Sequence, residues 1–209
     1  MIDLYINLEE FPRELHRTVK TWYSWHALSL RKMRKPLPQS GAKVDNSSQT
    51  PDWATRPPTM TDTKTLRFLD DYELSCFLVL GEDGYYIDEE SRGSRENFWM
   101  FRRFDDAEKY MLFLISQEAR PGRYSDSPSY RWYQEGLRPG ITLTKPDPVN
   151  YPGRVSITVD GEPIDRGWMP EHDAVAASHL MPLSFEELED ALRQGIPPDW
   201  FSFNLITAT

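Results

Sequence analysis

GEDGYYIDEESRGSRENFWMFRRF, residues 81–104, decides how the chain is read. Two runs rich in aromatic residues, GYYIDEE and NFWMFRRF, are separated by SRGSRE, and Gly81-Glu82-Asp83-Gly84 precedes the first. Alternate side chains of a strand face opposite sides. Tyr85 and Ile87 would then share one face, and Tyr86 and Asp88 the other. Trp99, Phe101 and Arg103 would likewise oppose Phe98, Met100 and Arg102. Both faces are apolar at 98–101, which predicts a central strand covered on both sides. GEDG predicts a tight hairpin turn whose glycines can take positive φ. Arg92 and Arg95 come within reach of Asp88, Glu89 or Glu90 across the second hairpin, for a modest gain.

Upstream, TLRFLDD (65–71) and YELSCFLVL (72–80) are two more short apolar runs, so the region reads as an antiparallel meander. Downstream, Asp105-Asp106 open a helix with Asp105 as N-cap, and Ala107, Tyr110, Met111, Leu114 and Ile115 line its apolar face. Pro121-Gly122 ends it. Residues 123–140 read as a loop carrying Tyr124, Tyr130, Trp132 and Tyr133. GITLTK (140–145) and GRVSITVD (153–160) are further strands, and Asp160-Gly161 is a turn signal. After GWMP (167–170), residues 172–181 and 184–194 read as helices. Ser184 and Glu187 form a capping box at the start of the second.

Residues 8–35 carry apolar side chains at helical spacing: Leu8, Phe11, Leu15, Val19, Trp22, Trp25 and Leu30. Pro12 suits an early turn and RKMRK (31–35) suits the C-terminal end, before Pro36 and Pro38 stop the helix. Such a stripe docks on the body, on a second copy or on a partner. Residues 36–63 are rich in Pro, Ser, Thr, Asp and Asn and read as a linker, with Trp53 as an anchor. The fold class expected is α+β, an antiparallel β-meander sheet packed by helices with an extra N-terminal helix. The organisation expected is a helical segment at 1–35, a linker at 36–63 and an α+β unit at 64–209.

The 209 residues are 39% hydrophobic and 27% charged, within the soluble range. The net charge of −9 divides into +3 for residues 1–60 and −12 for residues 61–209. An acidic body argues against nucleic acid and for a basic partner. The single Cys76 excludes an internal disulfide and fits a reducing cytoplasm. No long apolar run or leader pattern is present, so a membrane location is not expected.

Catalytic signatures are missing. There is no phosphate-cradling glycine loop, no H-E-x-x-H and no cysteine pair for zinc. His172 and His179 are seven residues apart, about 10 Å along a helix, which is too far for one metal. Cys76 lies in the apolar run CFLVL and reads as a buried, inert thiol. No catalytic residue, metal or cofactor is expected.

One similarity carries more. Gly84-Tyr85-Tyr86, Arg92-Gly93, Glu108-Lys109-Tyr110-Met111-Leu112, Arg120, Pro139-Gly140-Ile141-Thr142, Asp160-Gly161 and Ser178-His179 occur in an order and spacing that resembles a bacterial immunity family. It is the family of the antitoxin that neutralises the tuberculosis necrotizing toxin, an NAD-glycohydrolase. The resemblance spans roughly residues 66–195 and implies a non-enzymatic inhibitor that occludes the active site of a cognate toxin domain. It implies no cofactor. Loops tolerate variation and project outward, so the toxin-binding candidates are Glu82, Asp83, Tyr86, Arg92, Arg95, Tyr124, Tyr130 and Trp132. Two other readings stay open. One is an accessory or chaperone-type protein for a secreted partner, docking through its N-terminal helix. The other is a small-molecule enzyme using the concave face of the sheet.

Overall fold

The computed structural model describes residues 2–34, 56–70, 73–145, 149 and 152–207. Trp53, Pro36 and Pro38, and most of the expected linker, lie outside the described residues. The meander is present and longer than the sequence indicates. β2 (Thr59–Asp62), β3 (Thr65–Asp70), β4 (Leu74–Leu80), β5 (Tyr85–Ser91) and β6 (Ser94–Phe101) pair in succession. β9 (Gly167–Pro170), β8 (Arg154–Val159) and β7 (Ile141–Thr144) complete an eight-stranded antiparallel sheet of order β2-β3-β4-β5-β6-β9-β8-β7. β6 is therefore interior, as its two apolar faces predict. β2 falls inside the stretch read as linker.

The turn chemistry is distributed differently from the expectation. Positive φ falls on Arg92 (52°) and Gly93 (79°), the two-residue turn joining β5 to β6, and not on Gly81 or Gly84. Gly81 is needed for close approach instead: a Cβ there would lie 2.7 Å from the Gly84 carbonyl oxygen. Gly167 lets β9 join β6. It has φ 140°, and a Cβ would sit 1.9 Å from the Met100 carbonyl oxygen. GWMP is thus a strand, which its length and its Gly and Pro conceal.

α1 (His16–Arg34), α2 (Phe104–Ala119), α4 (Glu171–Leu180) and α5 (Phe185–Arg193) form the helical layer. The N-terminal helix starts later than the apolar spacing indicates. Residues 8–10 and 13–15 are single 3₁₀ turns, and Pro12 precedes the second of them. The N-cap of α2 is Arg103, with Asp105 and Asp106 in the first turn. The aromatic stretch read as a loop contains α3 (Pro128–Glu135), capped by Ser127 with Pro128 at its first position. The capping box of Ser184 and Glu187 forms on α5 as expected. β1 (Ile2–Ile6) and β10 (Phe203–Thr207) pair in parallel as a separate two-stranded sheet.

One core joins these parts. Val19, Trp22 and Trp25 of α1, Leu66 and Phe68 of β3, Ile87 of β5, Phe101 of β6, Tyr110 and Met111 of α2, and Leu188 of α5 belong to a single buried cluster. Burying each large side chain contributes on the order of 2–3 kcal/mol. A chain of charges stitches the layers where α2 begins. Asp106, fully buried, accepts from Arg166 at 2.8 Å and pairs with Lys109 Nζ at 2.9 Å. Lys109, 2% exposed, also donates to the Met181 and Leu183 carbonyls. Glu108 accepts from Thr18 at 2.6 Å and from Arg17, tying α1 to α2.

Candidate functional site

The helices cover one face of the sheet, and the register fixes what the other presents. Phe77 pairs with Asp88, Tyr86 with Met100, and Met100 with Trp168, so these side chains share the face opposite the α2-covered residues Ile87, Trp99 and Phe101. Two arginines lie flat on its aromatics. The Arg95 guanidinium sits 4.0 Å over Phe77 and donates through Nε to Asp88 at 2.9 Å. That of Arg154 lies 4.3 Å over Trp168. Burial raises the proton affinity of Asp88, and the Arg95 hydrogen bond and charge oppose it. Guanidinium groups stacked on aromatic rings lose little entropy on binding and are frequent anchors of interfaces.

The candidates read from the sequence fall into three places. At the β4–β5 turn, Glu82 is almost fully exposed and Asp83 accepts from the Tyr86 hydroxyl at 2.9 Å. Arg92 and Arg95 lie toward the far end of the β5–β6 hairpin, the first exposed at the turn and the second drawn onto Phe77. Tyr124, Tyr130 and Trp132 belong to the helical layer. Tyr124 is exposed and its ring meets Tyr130 edge-on at 5.5 Å. Trp132 turns inward, stacked on His179 at 5.9 Å and on Phe113 at 6.2 Å. The structure thus gathers Asp83 with Tyr86, keeps Arg95 on the same open face, and separates the tyrosine group from both.

The clefts are open to solvent. One runs between α1 and α5 along Arg17, Lys20, Ser24, Phe185 and Glu189. Among the described residues no group of three His, Cys, Asp or Glu side chains is placed to hold a metal ion. No helix of the described residues is long and apolar enough to cross a membrane. Burial pushes the Cys76 thiol up to about 12, with Glu89 and Glu118 adding to it. That agrees with an inert side chain.

The family model described as Immunity protein 61 (Imm61) matches residues 49–195. The chain belongs to the Immunity protein 61 family. Among solved structures, Rv3902c from M. tuberculosis is similar at 18% identity and a TM-score of 0.47, covering 64% of this chain and 76% of that one. No curated protein matches.

In this Imm61 chain the residues that carry the sequence resemblance have structural places. Glu108, Lys109 and Tyr110 are buried in the charged network and the core. Arg120, which follows α2, donates to the Leu192 and Gln194 carbonyls at the end of α5. Ser178 accepts from the Arg138 N–H at 3.1 Å, and His179 bonds the Gly136 carbonyl at 2.8 Å. Arg92-Gly93 builds the hairpin turn. Most of the residues that carry the sequence resemblance therefore hold the fold together.

Proposed function

We propose that this Imm61 chain is a non-enzymatic immunity protein that binds a cognate bacterial toxin domain and occludes its active site. Membership of the Imm61 family is the observation that carries this reading. The surface is consistent with it. Stacked arginines and exposed tyrosines are anchor types, and the acidic body would steer a basic partner into encounter. The binding surface proposed is the open face around Tyr86 and Arg95 with the adjoining turns at Glu82-Asp83 and Arg92. The tyrosines at 124 and 130 are a second contact region. The protein acts in the cytoplasm of the producing bacterium, in a polymorphic toxin system. The resemblance to the tuberculosis antitoxin family makes NAD glycohydrolysis the proposed reaction of the target.

Co-expression with the toxin domain encoded beside the gene tests this. The expected result is rescue of growth and a complex stable to purification, with NAD consumption by the toxin suppressed. Equal killing in the presence of this protein would reject the immunity role. Rescue without any effect on NAD turnover would retain immunity and reject the NAD-glycohydrolase target.

A further inference from the structure

Arg95 is held on the open face of the sheet more firmly than a surface arginine requires. Its cross-strand partner is Glu90, yet it turns along the sheet to Asp88. There Nε and Nη2 both reach one oxygen, Oδ2, each at 2.9 Å. Phe77, cross-strand from Asp88, closes one side of the guanidinium plane at 4.0 Å. One edge and one face of the group are thus occupied. Nη1 makes no hydrogen bond among the described residues, and the side chain keeps 34% of its exposure. A planar fork fixed in this way presents its remaining donors in a set direction.

The hold is destabilising for the free protein. Asp88 is 7% exposed, and its second oxygen, Oδ1, is buried with no hydrogen-bond partner among the described residues. An unpaired buried oxygen weakens a fold, and an apolar side chain next to Phe77 would pack without that loss. What the carboxylate adds is the orientation of Arg95. The neighbouring charges have the same layout. Arg67, cross-strand from Phe77, pairs with Asp70 at 3.1 Å, and Arg56 reaches the other oxygen of Asp70. Arg154, over Trp168, donates to the carbonyl of Asn97, which is cross-strand from Asp88. Asp70 and Asp88 lie nearly buried beneath arginines, and Glu90 is half-buried. The face therefore turns guanidinium groups to solvent, in a body whose net charge over residues 61–209 is −12.

We infer that Arg95 is the receptor for a carboxylate of the cognate toxin, an aspartate or glutamate side chain, with Asp88 as its positioning residue. This rests on the immunity reading and names the chemistry of one contact within it. The entering carboxylate accepts from Nη1 and Nη2 in parallel, a bidentate geometry that a lysine does not reproduce. The acidic body steers a basic toxin surface at long range, and this contact of opposite polarity fixes the register once the surfaces meet.

Arg95→Gln and Arg95→Glu are compared for melting temperature and for affinity toward the toxin domain encoded beside the gene. The glutamine variant should bind about tenfold more weakly, and the glutamate variant about a hundredfold or more, because like charges then meet in the interface. If the glutamate variant melts early, adding Asp88→Asn to both variants removes the new repulsion from the free protein, and the same order is read. A glutamate variant that binds as well as the glutamine one, or better, identifies a neutral or cationic partner group. That overturns the inference and leaves the immunity reading intact. Full affinity in Arg95→Gln does the same. Failure of the wild type to bind that toxin overturns both. Asp88→Asn alone should weaken binding, and should change nothing further in the Arg95→Gln background. Equal weakening in both backgrounds would show that Asp88 does not act through Arg95 and overturn its positioning role.

Discussion

Asp106 has no exposure, and its charge is balanced by Lys109 and Arg166, themselves withdrawn from water. Removing one partner of such a network strands the others, which costs far more than a surface ion pair. Asp106→Ala should lower unfolding stability by about 3–5 kcal/mol, read from denaturant midpoints, whereas the exposed-pair variant Lys64→Ala should cost less than about 1 kcal/mol. In the sequence, Asp105-Asp106 reads as a helix start, and that much is local. The partner Arg166 lies 60 residues away, so the network has no sequence signature. His26 offers a second test at this scale. It is stacked on Trp22 at 4.8 Å, and burial lowers its pKa from the ordinary 6.5 to about 4. The unfolded chain therefore binds this proton more readily than the folded one, and stability falls as pH drops from about 6.5 toward 4. The difference in melting temperature between wild type and His26→Phe should shrink or change sign across that interval. A difference constant with pH would mean that the imidazole is not held neutral by the fold.

The β5–β6 hairpin shows what alternation can and cannot predict at the scale of an element. The facing pattern of Trp99 and Phe101 against Met100 is correct, and so is the pairing of Arg95 with a hairpin carboxylate, Asp88. A bulge opposite Ile87 and Asp88 makes Phe98 the extra residue, and this brings Glu96 onto the same side as Trp99. Simple alternation puts Glu96 on the other side, so its place opposite Glu89 on the Trp99 face is not legible in the sequence. Other misses have similar physical reasons. β9 is four residues long and carries Gly and Pro. β1 and β10 pair the two ends of the chain, a contact no local pattern encodes. α3 did leave a signal, a Ser cap followed by Pro, masked by the aromatic richness of the stretch. The turn makes an element-scale prediction. Arg92 sits at φ 52°, where Asn is better tolerated. Arg92→Asn should stabilise the free protein by roughly 0.5–1 kcal/mol. If the Arg92 side chain is an anchor for the toxin, the same variant binds it more weakly. Unchanged affinity would remove Arg92 from the proposed surface.

At the scale of the whole molecule, the question is whether the N-terminal segment is an appendage or part of the fold. The family match begins at residue 49, beyond α1. The reading of α1 as a docking element requires a body that folds without it and an apolar face left for a partner. The packing is otherwise. Trp22 and Trp25 are buried, with Trp25 edge-on to Phe201 at 5.1 Å, and Arg17 and Thr18 both reach Glu108 of α2. β1 supplies the sole partner of β10 among the described residues. Deleting residues 1–34 would therefore expose the α1-facing side of α2, leave Glu108 buried without its cation and strip β10 of its ladder. Losing two buried tryptophans alone costs several kcal/mol, comparable with the whole stability of a domain this size. The truncated chain should lose its cooperative thermal transition and become insoluble or prone to aggregation. Substituting only Trp25 by Ala in the full chain should cost about 3–5 kcal/mol and lower the melting temperature without changing toxin affinity below it. A truncated chain that melts cooperatively but no longer binds would restore the docking-element reading. A truncated chain that melts cooperatively and still binds would make α1 dispensable to both fold and function.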